Sequence, residues 1–216
     1  MTVRVLVVDD HAAIRSGLRL MLESAGDIAV VGEAGDGAAA VANTRALRPD
    51  VVLMDLRMPG TDGVSATSQI TSQHLAEVLV LTTYDLDEYV DGALRAGAAG
   101  FLLKSVQAPA LLDAIRRVAA GEAVLAPEVT RRLLAAFVDA RPETTRSAAP
   151  AWLADLTARE RDVLVCLGQG LSNADIAAAL TISAATTKTH VSRVLTKLDC
   201  TSRTQAAILA REAGLV

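Results

Sequence analysis

The chain has 216 residues and 51% of them are apolar, so it is long enough for one large domain or two modest ones with aliphatic cores. Aromatic residues make up only 2%, which argues against a large stacking pocket for a planar ligand. The net charge of −4 is uneven, because residues 1–138 carry 12 Lys and Arg against 17 Asp and Glu, whereas residues 181–216 carry 5 against 2. An acidic first part and a basic end indicate different partners for the two parts.

The sequence predicts a soluble, cytoplasmic protein that does not bind membranes. Its first apolar run ends at two acidic residues, Asp9 and Asp10, which is not the pattern of a signal peptide. No apolar stretch approaches the roughly 20 residues that a membrane-spanning helix needs. Cys166 and Cys200 lack the spacing of metal ligands and fall in apolar helical patterns, so we expect reduced, partly buried thiols rather than a disulfide.

Residues 1–121 alternate strand and helix patterns. Apolar runs predict strands at 3–8, 28–32, 51–54, 78–81 and 100–103. Helical periodicity predicts a helix after Asp10 with Ile14, Leu18, Met21 and Leu22 on one face, and further helices at 38–47, 63–74, 87–96 and 110–120. Five strands that alternate with five helices predict an α/β domain with a parallel sheet and helices on both faces.

Polar side chains stand at the carboxyl ends of four predicted strands. They are Asp9 with Asp10, then Asp55, Thr82 and Lys104. Because ligands of open α/β sheets bind at this edge, we expect these groups to converge on one site. Three carboxylates suffice for Mg²⁺, and an Asp oxygen is a competent phosphoryl acceptor.

Lys104 would neutralise negative charge on the transferred phosphoryl group, and Thr82 would donate a hydrogen bond to one of the phosphoryl oxygens. Taken singly, each residue has an ordinary explanation, since an Asp after a strand is commonly a turn-former, a Lys is commonly solvated and a Thr commonly caps a strand. The combination of complementary groups at four strand ends favours the site.

A second domain is predicted beyond an exposed linker. Pro127 opens an apolar helix that runs to about Val138, and residues 139–150 lack periodicity and contain two prolines. We therefore expect domains at 1–121 and 152–216, with a connecting helix and linker at 122–151. The second domain carries four helix patterns, each preceded by a capping residue: Thr157, Ser172, Ser183 and Ser202.

The third of these helices, residues 183–198, is polar and basic. Two helices with a tight turn before such a helix make a helix-turn-helix, whose recognition helix reaches bases with short polar side chains and phosphates with cations. Two simpler explanations are a solvated basic face and a protein-binding four-helix module.

The first domain resembles the receiver domain of bacterial response regulators. The resemblance rests on VVDDH at 7–11, LMDLRMPGTDG at 53–63, LT at 81–82 and GFLLK at 100–104. It implies a flavodoxin-like fold, phosphoryl transfer from a sensor histidine kinase, and Mg²⁺ or Mn²⁺.

On the matching positions, Asp55 would be the phosphoacceptor and the metal ligands would be Asp9, Asp10, Asp55 and the backbone carbonyl of Arg57. Thr82 would be the switch hydroxyl, Phe101 the switch aromatic and Lys104 the phosphate-binding lysine. Ser105 departs from the Pro that many receivers have there.

The second domain resembles the LuxR-type helix-turn-helix, and the two together resemble the NarL/FixJ family of transcriptional regulators. The motifs are LTARERDVL at 156–164, GLSNADIA at 170–177 and TTKTHVS at 186–192. Carried over to this chain, the DNA-contacting residues would be Asn173, Lys188, Thr189, His190, Ser192, Arg193 and Lys197. Packing within the domain is the alternative for His190. Arg203 would lie near Glu160. Thr187 replaces the usual Val, and Ala184 replaces a common Glu.

The expected protein is a transcription factor that dimerises on double-stranded DNA when Asp55 is phosphorylated, with no catalysis beyond its own phosphorylation and dephosphorylation. One alternative is a phosphohydrolase with Asp55 as nucleophile, but Arg57 stands where haloacid dehalogenases place a second acid. Another is a regulator whose receiver serves only for dimerisation. A quorum-sensing regulator fits less well, because the first domain lacks an aromatic-rich pocket.

Overall fold

The computed structural model describes residues 2–82, 89–125 and 151–216, which fall into two compact units divided between Val124 and Leu125. The helix predicted at 127–138 and the linker predicted at 139–150 lie outside the described residues.

The N-terminal unit is a sheet with the order β2-β1-β3-β4-β5-β6. Its strands are β1 Val3–Val8, β2 Ile28–Ala34, β3 Val51–Asp55, β4 Glu77–Thr82, β5 Gly100–Leu103 and β6 Val124–Leu125. The described helices are α1 Ala12–Glu23, α2 Gly37–Leu47, α3 Gly63–Ser72, α4 Tyr89–Arg95 and α5 Ala108–Ala119. The first five strands pair in parallel, which confirms the predicted α/β sheet.

Most observed bounds differ from the predicted ones by one or two residues, and three of the differences have a physical reason. Strand β6 was not predicted, because a two-residue strand carries no periodicity. Strand β2 continues through Glu33 to Ala34, where Glu33 pairs with two arginines of α1. Helix α3 ends at Ser72 instead of His74, since His74 adopts a left-handed conformation (φ 49°) that ends a helix.

The central strands form the core of this unit. Successive residues of β1, β3 and β4 are buried, which is expected of a parallel sheet covered on both faces. On the predicted apolar face of α1, Leu22 is buried, but Ile14 is 37% exposed. Ile14, Leu18 and Met21 line a cavity of about 160 Å³ together with Lys104.

The C-terminal unit is helical in its described part. A short 3-10 helix, Ala151–Asp155, precedes α6 Ala158–Gly168, α7 Asn173–Leu180, α8 Ala184–Lys197 and α9 Arg203–Glu212. All four predicted caps are confirmed, because the hydroxyls of Thr157, Ser172, Ser183 and Ser202 each accept a backbone N–H from the first turn of the helix that follows.

Two further expectations concern the thiols and the membrane. Cys166 and Cys200 are free thiols and are buried rather than partly buried as predicted, and burial raises the pKa of the Cys200 thiol to about 11. Among the helices of the described residues, none combines the length and the apolar character that crossing a bilayer requires.

Candidate functional site

The carboxyl ends of four neighbouring strands bring the predicted polar groups to one edge of the N-terminal unit. Asp9 follows β1, Asp55 ends β3, Thr82 ends β4 and Lys104 follows β5. The strands hold these ends in register, since Asp55 lies opposite Leu81 and the backbone N–H of Lys104 donates to the Thr82 carbonyl at 2.7 Å. Convergence at this edge follows from the parallel order of the strands.

Lys104 joins two of the carboxylates. Its Nζ lies 2.7 Å from Asp9 Oδ2 and 2.7 Å from Asp55 Oδ2. Asp9 is only 1% exposed and Asp55 only 6%, so each carboxylate is removed from water and a nearby positive charge is needed to offset the cost of its burial. In this structure the ammonium group of Lys104 supplies that charge to both.

The surroundings of Lys104 act on its pKa in opposite directions. Burial lowers the pKa, whereas the hydrogen bonds to Asp55 and Asp9 raise it and together outweigh burial, so the pKa lies above its ordinary value. The side chain is therefore a permanent cation at neutral pH.

His11 completes the acidic side of the site, although the sequence-based prediction did not include it. Its Nδ1 lies 2.6 Å from Asp10 Oδ1 and 3.5 Å from Asp9 Oδ1, and its backbone N–H donates to Asp9 Oδ1 at 2.9 Å. Asp9, Asp10 and His11 each offer a ligand atom, and these atoms lie within 4.8 Å of one another. The only feature of the sequence that could have indicated a role for His11 is its position directly after Asp9 and Asp10.

The backbone around the acids is held by two specific features. Arg15 Nη1 donates to the Asp9 carbonyl at 2.8 Å, which fixes the loop after β1. A Cβ on Gly63 would lie 2.1 Å from the Asp55 carbonyl oxygen, so the start of α3 approaches the end of β3 in a way that only glycine permits. Together they determine where the carboxylates of Asp9 and Asp55 stand.

The donor set fits a hard divalent cation. Asp9 and Asp10 offer carboxylate oxygens, which are the ligands that Mg²⁺ and Mn²⁺ prefer, and Asp55 lies outside the group of ligand atoms within 4.8 Å of one another. Asp10 is half-buried, so a cation there would keep part of its water shell. The backbone N–H of Arg57 lies 3.4 Å from Asp55 Oδ1, and the ligand role of the Arg57 carbonyl stays a prediction.

Thr82 and Phe101 lie on adjacent strands and are both buried, with exposures of 5% and 0%. The switch roles of the two residues stay predictions.

In the C-terminal unit, α8 separates a buried side from an exposed one. Thr187, Val191 and Val194 are buried, and the Thr187 hydroxyl donates to the Ser183 carbonyl at 3.1 Å, so the polar group that replaces Val has a partner. The exposed side includes most of the predicted DNA contacts on this helix: Lys188, Thr189, Ser192, Arg193 and Lys197.

His190 lies at the edge of that exposed side. It is half-buried, and its Nδ1 is buried with no hydrogen-bond partner among the described residues. This position favours the packing role over a phosphate contact, because one ring nitrogen faces away from solvent.

Two predicted DNA contacts are engaged inside the unit. Lys197 Nζ lies 2.7 Å from Glu160 Oε2 and donates to the Asp155 carbonyl at 3.0 Å. Asn173 is 9% exposed, and its Oδ1 accepts from Arg203 Nη1 at 3.3 Å. These contacts argue against DNA-binding roles for Lys197 and Asn173, because each polar group already has a partner within the fold.

The predicted proximity of Arg203 and Glu160 stays a prediction, because the hydrogen bonds described for the two residues go to other partners. Arg203 donates to Asn173 and to the Leu171 carbonyl, and Glu160 pairs with Lys197. The hydrogen bond from Lys197, followed by that from the Thr157 backbone, lowers the pKa of Glu160 to about 2. Sequence reasoning missed this pair, because its partners stand on helices far apart in the chain.

Two family matches cover most of the chain. Residues 5–116 match the family described as response regulator receiver domain. Residues 154–210 match the family described as bacterial regulatory proteins, luxR family. Their order along the chain is the order in which the two units occur.

Relatives match this chain over nearly the whole of their own length. The chain is 41% identical to the response regulator protein VraR of Staphylococcus aureus, over all of both chains. It is 39% identical to YxjL of Bacillus subtilis, an uncharacterized transcriptional regulatory protein, over 99% of this chain and 97% of that protein. Among solved structures, the response regulator ChrA of a heme-sensing two-component system is 41% identical, with coverage of 100% and 99% and a TM-score of 0.55.

Proposed function

We propose a mechanism on the premise that this chain belongs to the two-component response regulators that combine a receiver domain with a LuxR-type helix-turn-helix domain. The protein is a response regulator, and its relatives are transcriptional regulators. In our proposal, Asp55 accepts a phosphoryl group from a sensor histidine kinase, and the phosphorylated protein binds promoter DNA as a homodimer. We retain the division into a receiver at 1–121, a connecting segment at 122–151 and a DNA-binding domain at 152–216. We place this function in the cytoplasm, because there the protein can reach both a sensor histidine kinase and promoter DNA.

The observation that carries the proposal is the bridge from Lys104 to Asp9 and Asp55. The nucleophile is a buried carboxylate, and the ammonium 2.7 Å away offsets the cost of burying its negative charge. The same ammonium is within reach of a phosphoryl oxygen once Asp55 carries one. Lys104 thus provides a positive charge to Asp55 both before and after phosphorylation.

The transfer step involves one bond formed and one bond broken. An Asp55 carboxylate oxygen bonds to phosphorus, while the bond from phosphorus to the donor's histidine nitrogen breaks and that nitrogen keeps the electron pair. Asp9, Asp10 and Asp55, with the Arg57 carbonyl, would hold Mg²⁺ or Mn²⁺, which supplies neutralisation of charge on the phosphoryl oxygens. Lys104 turns from the Asp55 carboxylate to the phosphoryl group.

The response starts at Thr82 and Phe101. The Thr82 hydroxyl donates to a phosphoryl oxygen, which draws the end of β4 towards Asp55. Phe101 is buried on the neighbouring strand, and its ring follows that movement. A local charge is thereby converted into a change of shape that reaches the surface.

A phosphorylation assay tests the acceptor. Full-length protein is incubated with Mg²⁺ and a small phosphodonor, acetyl phosphate or phosphoramidate, and its intact mass is measured. We expect wild type to gain one phosphoryl group and Asp55→Asn to gain none. Asp62→Asn is the matched control, because Asp62 is an exposed carboxylate nearby that caps α3, and Asn also caps helices.

Labelling of Asp55→Asn at the rate of wild type would contradict the proposal. The same samples separate it from a phosphohydrolase. We propose that the protein has no catalysis beyond its own phosphorylation and dephosphorylation, and Arg57 in place of a second acid supports this. Repeated turnover of a small phosphoester that Asp55→Asn abolishes would favour the hydrolase instead.

A further inference from the structure

The N-terminal half of α8 presents methyl groups where a DNA-reading helix commonly presents long hydrogen-bonding side chains. Residues 184–192 contain no Arg, Asn, Gln, Asp or Glu, and Lys188 is the one long charged side chain among them. The two-hydrogen-bond pairs that identify guanine through Arg and adenine through Asn or Gln are therefore absent from this stretch.

Two hydroxyl groups on this surface, those of Thr186 and Thr189, are already engaged within the helix or with its cap. The Thr189 hydroxyl donates to the Ala185 carbonyl at 3.1 Å. The Thr186 hydroxyl lies 2.8 Å from the hydroxyl of Ser183, which also caps the helix. With its proton used inside the helix, Thr189 offers its methyl group as the main contact surface for an outside partner.

Ala185 and Thr189 form a small apolar surface, which we call the methyl patch. Both residues are exposed, and a spacing of four places them one turn apart on the same side of the helix. Lys188 adjoins the patch and is also exposed. A surface of two methyl groups beside one cation fits a base edge that is itself apolar.

We propose that the methyl patch contacts the C5-methyl group of a thymine in the major groove, so that each half-site carries a thymine opposite Thr189. Thymine is the one base with a methyl group on its major-groove edge, and Ala and Thr methyl groups are suited to contact it. Lys188 then reaches a neighbouring guanine or a phosphate. The inference rests on the proposed DNA-binding function of α8.

The other end of α8 provides the matched control. Thr196 is also exposed, and its hydroxyl also donates to the carbonyl four residues earlier, Ser192, at 3.0 Å. Recognition helices reach base edges with their N-terminal residues, and here the C-terminal end is tied to Glu160 through Lys197. Replacement of Thr by Ser removes one methyl group and keeps the hydroxyl at either position.

The test uses full-length protein with phosphodonor. A binding site is selected from a random duplex library, and each thymine is then replaced singly by deoxyuracil, which lacks only the methyl group. At one thymine per half-site, we expect deoxyuracil to weaken binding about fourfold, which is the loss of one buried methyl group. Thr189→Ser should weaken binding to the thymine site and distinguish thymine from deoxyuracil less than wild type does, because only the Ala185 methyl group of the patch remains. Thr196→Ser should distinguish them as wild type does.

The outcomes separate two failures. If no duplex is selected with or without phosphodonor, the proposed function is wrong. If wild type binds a selected duplex and no deoxyuracil weakens binding, DNA binding stands and the methyl contact is overturned. Discrimination by Thr189→Ser that equals that of wild type would also overturn it, provided that circular dichroism shows an unchanged helix content. All affinities are measured at one salt concentration, because salt alone changes them strongly.

Discussion

At the scale of single residues, Lys104 determines the charge balance of the acidic site. It is the counter-ion of two buried carboxylates, and its raised pKa has a defined consequence for stability. A group whose pKa is raised by folding stabilises the fold fully below its ordinary pKa, which is 10.5 for this lysine, and that contribution is lost as the pH rises further. The site is therefore intact across the physiological range.

The bridge predicts a competition between Lys104 and a divalent cation. Without metal, Lys104→Met should lower the free energy of unfolding by about 3 kcal/mol, because two buried carboxylates lose their counter-ion. Saturating Mg²⁺ should restore much of that loss, since the cation takes the place of the ammonium. Urea unfolding followed by circular dichroism, with and without Mg²⁺, measures both effects.

Lys188→Met is the control for this prediction, because it removes an exposed lysine from the other unit. It should leave the response to Mg²⁺ at the wild-type level. A gain from Mg²⁺ in Lys104→Met that is no larger than in wild type would show that Lys104 and the cation do not compete for the same oxygens.

At the scale of secondary-structure elements, the ion pair of Glu160 and Lys197 joins the first turn of α6 to the last turn of α8. Glu160 also accepts hydrogen bonds from the backbone and the hydroxyl of Thr157, so a single carboxylate caps one helix and holds the end of another. The orientation of α8, and with it the exposure of Lys188 and Thr189, depends in part on this pair.

The pair gives the C-terminal unit a defined response to acid. The pKa of Glu160 is lowered from 4.5 to about 2, so its stabilising contribution is present above pH 4.5 and is lost as the pH falls towards 2. Glu160→Gln should be less stable than wild type at neutral pH and should lose less stability over this interval. Urea unfolding at several pH values, followed by the fluorescence of the single tryptophan, Trp152, reports on this unit.

Glu212→Gln removes an exposed carboxyl from the same unit and should keep the wild-type pH dependence. Parallel pH profiles for wild type and Glu160→Gln would mean that the pair with Lys197 contributes nothing to stability. Because Trp152 packs against the core of the C-terminal unit, unfolding of the N-terminal unit should leave this signal unchanged.

At the scale of the whole molecule, the distribution of charge matches the proposed division of roles. The acidic N-terminal part carries the site proposed for a cation and a phosphoryl group, and the basic residues 181–216 include the helix proposed to enter DNA. Attraction to phosphates contributes affinity without sequence information, so discrimination between sites has to come from groups such as the methyl patch.

Coupling between the two units is the prediction at this scale. Phosphodonor and Mg²⁺ should raise the affinity of wild type for its selected duplex between roughly 5- and 150-fold, the range that allosteric coupling commonly spans. Fluorescence anisotropy of labelled DNA measures the affinity. Asp55→Asn should bind with the weaker affinity and show no response, whereas Asp62→Asn should respond like wild type. A phosphodonor response in Asp55→Asn would place the control of DNA binding elsewhere.

Much of the fold was predictable, because its signals are local. Apolar runs, helical periodicity and capping residues are properties of neighbouring positions, and they predicted the five parallel strands and all four caps of the C-terminal unit. Strand β6 and the 3-10 helix at Ala151–Asp155 were missed, since two to five residues carry too little pattern. The end of α3 was misplaced because a left-handed conformation at His74 leaves no signal in residue type.

The sequence by itself determined which side chains stand at the strand ends, because the alternation of strands and helices in a parallel sheet sends those ends to one edge. Only the tertiary structure decided how they pair. In the structure, Lys104 pairs with both Asp9 and Asp55, and His11 pairs with Asp10. Lys197 pairs with Glu160, and Arg203 donates a hydrogen bond to Asn173. Such pairings depend on distances of a few ångströms between residues far apart in the chain, and the packing of the elements sets those distances.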